Sequence, residues 1–344
     1  DLPGDRERLE RRWVWSGWNS DDVRRVLAST PRWRDDLPAW VRTVADLHRA
    51  LLEAAGAPPH PASRQIPFID LLDPLVGEAR RPLGHRPFAV FGPEAWSAVE
   101  DGLRRRLHAC AGAVLLAELD KARGSGRSLL LALAGGDIAP SDERYRAWVD
   151  TIRGDGGRAL LLGYPRLARA WAETVEAWRD EIGELVFRVE RDRHALSALG
   201  RGEQGGSCGR VAALLFDLSD PHRGHRAVHA LRFEDGTTVV YKPKSVDLDQ
   251  GWARFQAWLG QRLPDLGLRP VQVLPRDGYG WCAWVEARPA QSQEDVSRFY
   301  ERSGVLLACM HLFGGTDAHS ENFIAERDQL TLVDVETLVY PEER

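Results

Sequence analysis

The sequence predicts an α+β chain: a mostly helical region over residues 1–200, then a strand-bearing unit over 201–344. Three observations carry this. Long stretches before residue 200 repeat apolar residues every three or four positions, the period of a helix with one buried face. Asp235-Gly236 separates two short apolar runs, a strong hairpin signal. Between these regions, Arg201-Gly202-Glu203-Gln204-Gly205-Gly206 breaks both patterns. It lacks the G-x-G-x-x-G order and precedes no clear helix, so it reads as a boundary loop, not a phosphate loop.

In chain order, Asp21-Asp22 ahead of Val23, Val26 and Leu27 predicts a capped helix, and 37–55 a second. Trp13, Trp15, Trp18, Trp33 and Trp40 crowd this region. Such clusters mostly pack helices together, and a peptide-binding surface is the alternative. Pro58, Pro59 and Pro61 interrupt the helices, and residues 67–75 resume an apolar pattern. Pro93-Glu94-Ala95-Trp96 opens a long amphipathic helix with the stripe Trp96, Val99, Leu103, Leu107 and Cys110, extended by Val114 and Leu115 and ended by Gly-Ser-Gly at 124–126. Its Arg104-Arg105-Arg106 run reads as a solvated helix face, with contact to an acidic peptide leader as the alternative. Further helices are expected over 144–153, over 166–185 (Leu167, Trp171, Val175, Trp178 and Ile182) and over 186–199. Nothing in residues 1–200 carries recognisable chemistry. Their expected role is to pack on the catalytic unit and to contact peptide.

Composition narrows the function classes. A hydrophobic content of 43% and a charged content of 28% fit a soluble globular chain with a real core. The net charge of −5 gives no electrostatic argument for a nucleic-acid partner or an anionic membrane. No apolar run is long enough to span a bilayer; Ser128 to Ala134 is the nearest. Cys110, Cys208, Cys282 and Cys309 form no CxxC pair, so buried, reduced thiols in a cytoplasmic protein are expected. The chain has no initiator Met and stops soon after Asp334-Val335-Glu336, so it reads as a segment of a longer polypeptide.

The chemistry concentrates late in the chain. Strands expected over 227–233 and 238–242 leave Lys242 at the end of a hairpin, in Tyr241-Lys242-Pro243-Lys244. Downstream, Gly315-Thr316-Asp317-Ala318-His319-Ser320-Glu321-Asn322 spaces Asp317 and Asn322 five apart, as in a kinase catalytic loop. A second hairpin, with its turn at Arg327-Asp328-Gln329, brings Asp334 to the end of a strand over 330–334. Phosphoryl transfer needs a carboxylate near the attacking hydroxyl, and oxygen ligands that hold Mg²⁺ against the phosphates of ATP. Lys242 is assigned to the phosphates, with Lys244 as its neighbour on the same face. Asp317 is assigned as base or positioning group, and His319 as orienter or acid/base. Asn322 and Asp334 are expected to bind Mg²⁺, helped by Glu336 through alternation on the same strand. This kinase order, with an Asp-x-His-x-x-Asn loop that resembles the catalytic loop of lipid kinases, predicts a (lipid) kinase-like bilobal domain, with an N-lobe at roughly 205–290 and an incomplete C-lobe starting at roughly 291–344, entered through a helix over 293–313. A protein kinase pairs its lysine with a Glu, but the helix expected over 248–262 has none. Asp247, Asp249 or a carboxylate from elsewhere stays open as the partner. No Gly-rich loop is present, and Asp334-Val335-Glu336 departs from the Asp-Phe-Gly of protein kinases.

Ser219-Asp220-Pro221-His222, Tyr241-Lys242-Pro243-Lys244, Tyr279-Gly280-Trp281, the loop from Gly315 to Asn322 and Asp334-Val335-Glu336-Thr337-Leu338 together resemble the dehydratase domain of class II (LanM-type) lanthipeptide synthetases. The match is ordered over roughly 219–340 and looser across the helical region. The resemblance implies a kinase-like fold that uses ATP and Mg²⁺ to phosphorylate Ser and Thr of a ribosomal precursor peptide, leader plus core. Elimination of the phosphate then leaves dehydroalanine or dehydrobutyrine. It implies that Asp220 and His222 act in elimination and phosphate handling, although Ser-Asp-Pro alone also reads as a turn former. It further implies an eliminating Arg and Thr, expected beyond Arg344 because Thr337 and Arg344 lie too close to Asp334. A zinc-dependent cyclase domain is expected on the full-length chain. A lipid- or small-molecule-type kinase without elimination, and a peptide-binding pseudokinase, stay open as alternatives.

Overall fold

The computed structural model describes residues 11, 13, 17–28, 37–63, 65–122, 142–199, 208–219, 226–317 and 319–339. It is α+β, helical before residue 200 and carrying an antiparallel sheet after it. Residues 1–42 and 43–344 form two compact units. In the first, α1 (Ser20–Ala28) is capped by Asn19 together with Asp22. Asn19 Oδ1 accepts from the Asp21 and Asp22 amides, and Asp22 returns a carboxylate to the Asn19 amide. Trp18 is exposed and Trp13 half-buried, while Trp15 and Trp33 lie outside the described residues.

The helices that follow are α2 (Ala39–Glu53), α3 (Ile69–Arg80), α4 (Arg86–Val90), α5 (Pro93–Ala122), α6 (Asp142–Thr151), α7 (Gly157–Gly163) and α8 (Pro165–Ala198). The expected stripe of α5 is buried at Trp96, Val99, Leu103 and Leu107. It then continues through Ala111, Leu115 and Leu119 and leaves Cys110 exposed, against expectation. The break expected at 124–126 lies outside the described residues. The two helices expected over 166–185 and 186–199 are one, α8. Leu185, Val186, Val189 and Leu196 are all buried and carry its apolar face past the supposed junction. Its indoles anchor it to α5: Trp171 Nε1 donates to the Leu107 carbonyl (3.1 Å) and Trp178 Nε1 to the Val99 carbonyl (3.4 Å). Pro74 sits inside α3, where its missing N–H leaves the Asp70 carbonyl without its helical donor. The buried Arg153 guanidinium takes that carbonyl at 2.7 Å.

The arginine run is no solvated face at two of its three positions. Arg104 pairs with Asp73 and Asp101, and Arg106 is largely buried between Glu181 and Asp217. Both tie α5 to neighbouring segments, which corrects the solvated and leader-binding readings for those two side chains.

After residue 208, β1 (Val211–Leu215), β2 (His229–Phe233), β3 (Thr238–Lys242), β4 (Val273–Arg276) and β5 (Tyr279–Ala283) form an antiparallel sheet in the order β1-β2-β3-β5-β4. The hairpin expected at Asp235-Gly236 is present. Arg232 pairs with Thr238 across it, and Gly236 takes the positive φ of 85° that the turn requires. Leu231, Phe233, Val239, Tyr241, Tyr279 and Trp281 point into the core shared with α5 and α8. With a period of two, Val240, Lys242 and Cys282 face the other way. Between β3 and β4 lies α9 (Asp247–Arg262). After β5 come α10 (Gln293–Leu312) and the hairpin β6 (Phe323–Glu326) and β7 (Gln329–Leu332), with Arg327-Asp328 at its tip. Trp252 of α9, Leu306, Cys309 and Met310 of α10, and Leu332 form a second, smaller core.

Asp328 fastens this hairpin. Its carboxylate meets Arg269 at 2.7 Å and the buried Arg302 of α10 at 2.5 Å. Hydrogen bonding from Arg269, and then from Arg302, outweighs partial burial and holds the Asp328 carboxyl down to about 2. A folded pKa below the unfolded value gives stability that is complete above roughly pH 4 and is lost as pH falls through about 2. Asp328→Asn is therefore expected to lower the urea midpoint at pH 6, and its gap from wild type should narrow between pH 4 and 2. A gap independent of pH would show that the carboxylate charge is not what fastens the hairpin.

Candidate active site

The open face of the sheet and the hairpin β6–β7 enclose a cleft of about 730 Å³. Val240 and Cys282 line it from the sheet, and Ile324 and Leu332 from the hairpin. Lys242, Lys244, Asp249, Asp317, His319, Asn322 and Asp334 line the same cleft. It is thus an apolar slot with a cluster of charged and polar groups.

Lys242 leaves the end of β3 and is 6% exposed. Its ammonium donates to Asp249 Oδ1 at 2.6 Å and to the Val333 carbonyl at 2.7 Å. Asp249, in the first turn of α9, is the partner that the sequence left open. Burial alone would lower the Lys242 pKa, but the Asp249 carboxylate more than offsets it and the pKa is raised, so the lysine stays charged. Gly280 secures this placement. It faces Lys242 across β3–β5, and a Cβ there would stand 2.1 Å from Val246 Cγ2. Only a glycine lets Val246, immediately before α9, approach so closely. The Cys282 thiol in the cleft wall is pushed up to about 12 by burial and by Asp249, so it is a thiol at neutral pH.

The loop from Gly315 to Asn322 begins where α10 stops. Gly314, at φ 66°, donates to the His311 carbonyl, and Gly315 donates to the Met310 carbonyl, a glycine-terminated helix end. The loop then folds on itself. The Asn322 side-chain amide donates to the Asp317 carbonyl (3.0 Å) and carboxylate (3.3 Å), and it lies 3.2 Å from His319 Nε2. His319 Nε2 is 3.5 Å from Asp317 Oδ1. Thr337 Oγ1 accepts from the Asp317 amide at 3.3 Å, which brings the segment after Asp334 against the loop. The Val333 amide donates to the Asn322 carbonyl at 2.9 Å, so the hairpin closes the twelve-residue gap and sets Asp334 beside Asn322.

Strand alternation does not account for Glu336. β7 ends at Leu332, and Asp334 Oδ1 accepts from the Glu336 amide at 3.2 Å, a side-chain-capped turn. The turn still brings both carboxylates to Lys244, which lies 3.9 Å from Asp334 Oδ1 and in contact with Glu336 Oε1. Likewise, β3 ends at Lys242, so Lys244 reaches the cleft from the bend that follows. Burial lowers the Lys244 pKa and repulsion from Lys242 adds to this, with Asp334 opposing. The structure thus gathers six predicted residues: Lys242, Asp317, His319, Asn322, Asp334 and Glu336. Asp220 and His222 lie outside the described residues. Among the described residues, no group of three or more His, Cys, Asp or Glu converges as a metal cluster.

A family model described as a domain of unknown function, DUF4135, matches residues 164–344. The chain belongs to the DUF4135 family. The match starts at the foot of α8, so α8 is included together with the sheet and the cleft. This DUF4135 chain is also 27% identical over 127 residues to the lacticin 481/lactococcin biosynthesis protein LcnDR2 of Lactococcus lactis subsp. lactis. That similarity covers 35% of this chain and 14% of the length of LcnDR2. Among the described residues, no helix is long and apolar enough to cross a membrane.

Proposed function

We propose that this DUF4135 chain is the dehydratase part of a lanthipeptide-modifying enzyme. It would phosphorylate Ser and Thr of a ribosomal precursor peptide with ATP and then eliminate the phosphate. The observation that carries the proposal is the bridge made by Lys242, from a central strand to Asp249 on the next helix and to the Val333 carbonyl beside Asp334. A lysine fixed in this way beside a carboxylate and an Asp-x-His-x-x-Asn loop is the arrangement that phosphoryl transfer needs. The similarity to a lantibiotic biosynthesis protein supports a peptide as the acceptor. In this reading residues 205–290 act as the N-lobe and 291–344 as the start of the C-lobe. The helical region over residues 1–200 supports the catalytic unit and contacts the precursor peptide, in a cytoplasmic protein whose full length carries a cyclase.

The residues fit the groups implied. The slot between Val240 and Cys282 above and Ile324 and Leu332 below suits a flat base, and Lys242, which lines the same cleft, would take the phosphates of ATP. Asn322, Asp334 and Glu336 offer the oxygen donors that Mg²⁺ prefers, and the last two already share a cation, the Lys244 ammonium. Mg²⁺, when bound, neutralises charge on the phosphates. In the transfer step the Ser or Thr Oγ forms a bond to the γ-phosphorus as the bond to ADP breaks. Asp317 takes or orients the hydroxyl proton, and Asn322 and His319 hold the Asp317 carboxylate in place. Asp249 keeps Lys242 charged and aimed. In the second step Asp220 and His222 serve removal of the Cα proton and departure of the phosphate, because hydroxide is a poor leaving group and phosphate a good one.

Mass spectrometry of the precursor peptide, with ATP and Mg²⁺ and the full-length protein, tests this. Wild type is expected to give peptide lighter by one water per site. Asp220→Ala or His222→Ala should accumulate phosphopeptide instead. Complete loss of phosphorylation in both variants would move the pair to ATP binding. Stable phosphopeptide from wild type would replace this reading with a plain kinase, and failure to bind Mg-ATP would replace it with a pseudokinase.

A further inference from the structure

Two lysines line the cleft, and they are not equivalent. Lys242 is committed to Asp249 and to the Val333 carbonyl, at 2.6 and 2.7 Å. Lys244 instead faces the two carboxylates that the proposed function gives to the metal. It lies 3.9 Å from Asp334 Oδ1 and touches Glu336 Oε1, while the Glu336 amide closes a turn on Asp334 Oδ1. The turn sets two negative charges side by side, and Lys244 is their counterion. Its side chain is 32% exposed, and a four-carbon stem gives it room to turn toward solvent.

We propose that Lys244 is an internal occupant of the metal site: Asp334 and Glu336 hold its ammonium until a divalent ion displaces it, and Lys244 thereby sets the site's affinity for metal. This rests on the metal-site reading given above. The physical argument is competition for the same oxygens. A divalent ion that takes the Asp334 and Glu336 carboxylates must break their pairing with Lys244. Any ammonium remaining nearby repels it further. Removing the Lys244 charge relieves both penalties, so metal should bind more tightly.

The test measures Mn²⁺ binding to the full-length protein by electron paramagnetic resonance, with neither ATP nor peptide present. Lys244→Ala and Lys244→Gln are expected to bind Mn²⁺ roughly five- to tenfold more tightly than wild type, the scale of one partly buried ion pair. Lys244→Arg should stay near wild type, because it keeps the charge. Lys121→Ala, which removes a positive charge from α5, should leave Mn²⁺ binding unchanged. Unchanged or weaker binding in both Lys244→Ala and Lys244→Gln overturns the proposal, weaker binding meaning that Lys244 props the carboxylates open for the metal. Asp334→Asn separates the two readings. If it removes Mn²⁺ binding while the Lys244 variants behave as wild type, only the role of Lys244 falls. If Mn²⁺ binding is indifferent to Asp334→Asn, the metal site itself is misassigned and the proposal falls with it.

Discussion

Lys242→Ala and Asp334→Asn are each expected to reduce peptide phosphorylation by roughly 10³-fold or more, the scale seen when preorganised charge is removed from a transferring group. The two variants should differ in stability. Asp334→Asn keeps the shape of a partly exposed side chain and should leave the thermal midpoint nearly unchanged. Lys242→Ala strips the partner from Asp249, whose side chain is only 12% exposed, and strands its carboxylate in the cleft wall. A lower thermal midpoint is therefore expected for Lys242→Ala, partly recovered by adding Asp249→Asn, with no recovery of phosphorylation. Monitoring transfer by mass spectrometry alongside thermal unfolding separates the lost chemistry from the lost pairing. Near-wild-type transfer by either single variant would remove that residue from the site.

What the sequence made legible was mostly local. The Asp235-Gly236 turn, the apolar stripes of α5 and α8 and the tip at Arg327-Asp328 each follow from residues within a few positions of one another, and all three are in the fold. The grouping of Lys242, Asp317, Asn322 and Asp334 was legible because two hairpins and one helix end bring them together. Where tertiary contacts decide, the sequence was silent. Nothing near Lys242 distinguishes Asp249 from Asp247; in the fold Asp249 accepts from the Lys242 ammonium, while the Asp247 carboxylate accepts from the Ser245 hydroxyl. The helices expected over 166–185 and 186–199 are one, because Ile182, Leu185, Val186 and Val189 keep the three-and-four spacing of a single buried face packed on α5. Alternation misplaced Glu336 because the Asp334 side chain captures its amide and turns the chain. Arg106 looked like part of a charged surface because its partners lie 75 and 111 residues away.

Those partners set the second large effect. Glu181→Ala is expected to destabilise the protein by about 3–5 kcal/mol, the cost of removing one member of a buried charge network. Glu181, on α8, is 3% exposed and accepts from three groups: Arg106 Nη1 of α5 at 2.6 Å, His229 Nε2 of β2 at 3.1 Å, and the Ala227 amide just before β2 at 3.2 Å. His229 Nδ1 accepts from the Asp217 amide, which leaves Nε2 as the protonated nitrogen that donates to Glu181. Arg106 also pairs with the Asp217 carboxylate and lies 5.0 Å from the centre of the Phe216 ring, on which His229 stacks. Burial alone would raise the Glu181 pKa, but His229 and then Arg106 hold it below the usual carboxylate value. Its stabilising contribution is thus present above the ordinary Glu range and is lost as pH falls through its folded pKa. Removing the carboxylate leaves the His229 and Ala227 donors buried without an acceptor. It also weakens the hold on Asp217, which sits at a φ of 60° and lines the cleft. Glu181→Gln retains one acceptor at the same position and should fall between Ala and wild type. Urea midpoints at pH 7 give the order. If Glu181→Ala unfolds within about 1 kcal/mol of wild type, no more than an exposed pair contributes, the network does not hold α8 to the sheet, and the cleft wall at Asp217 must be fixed by other contacts.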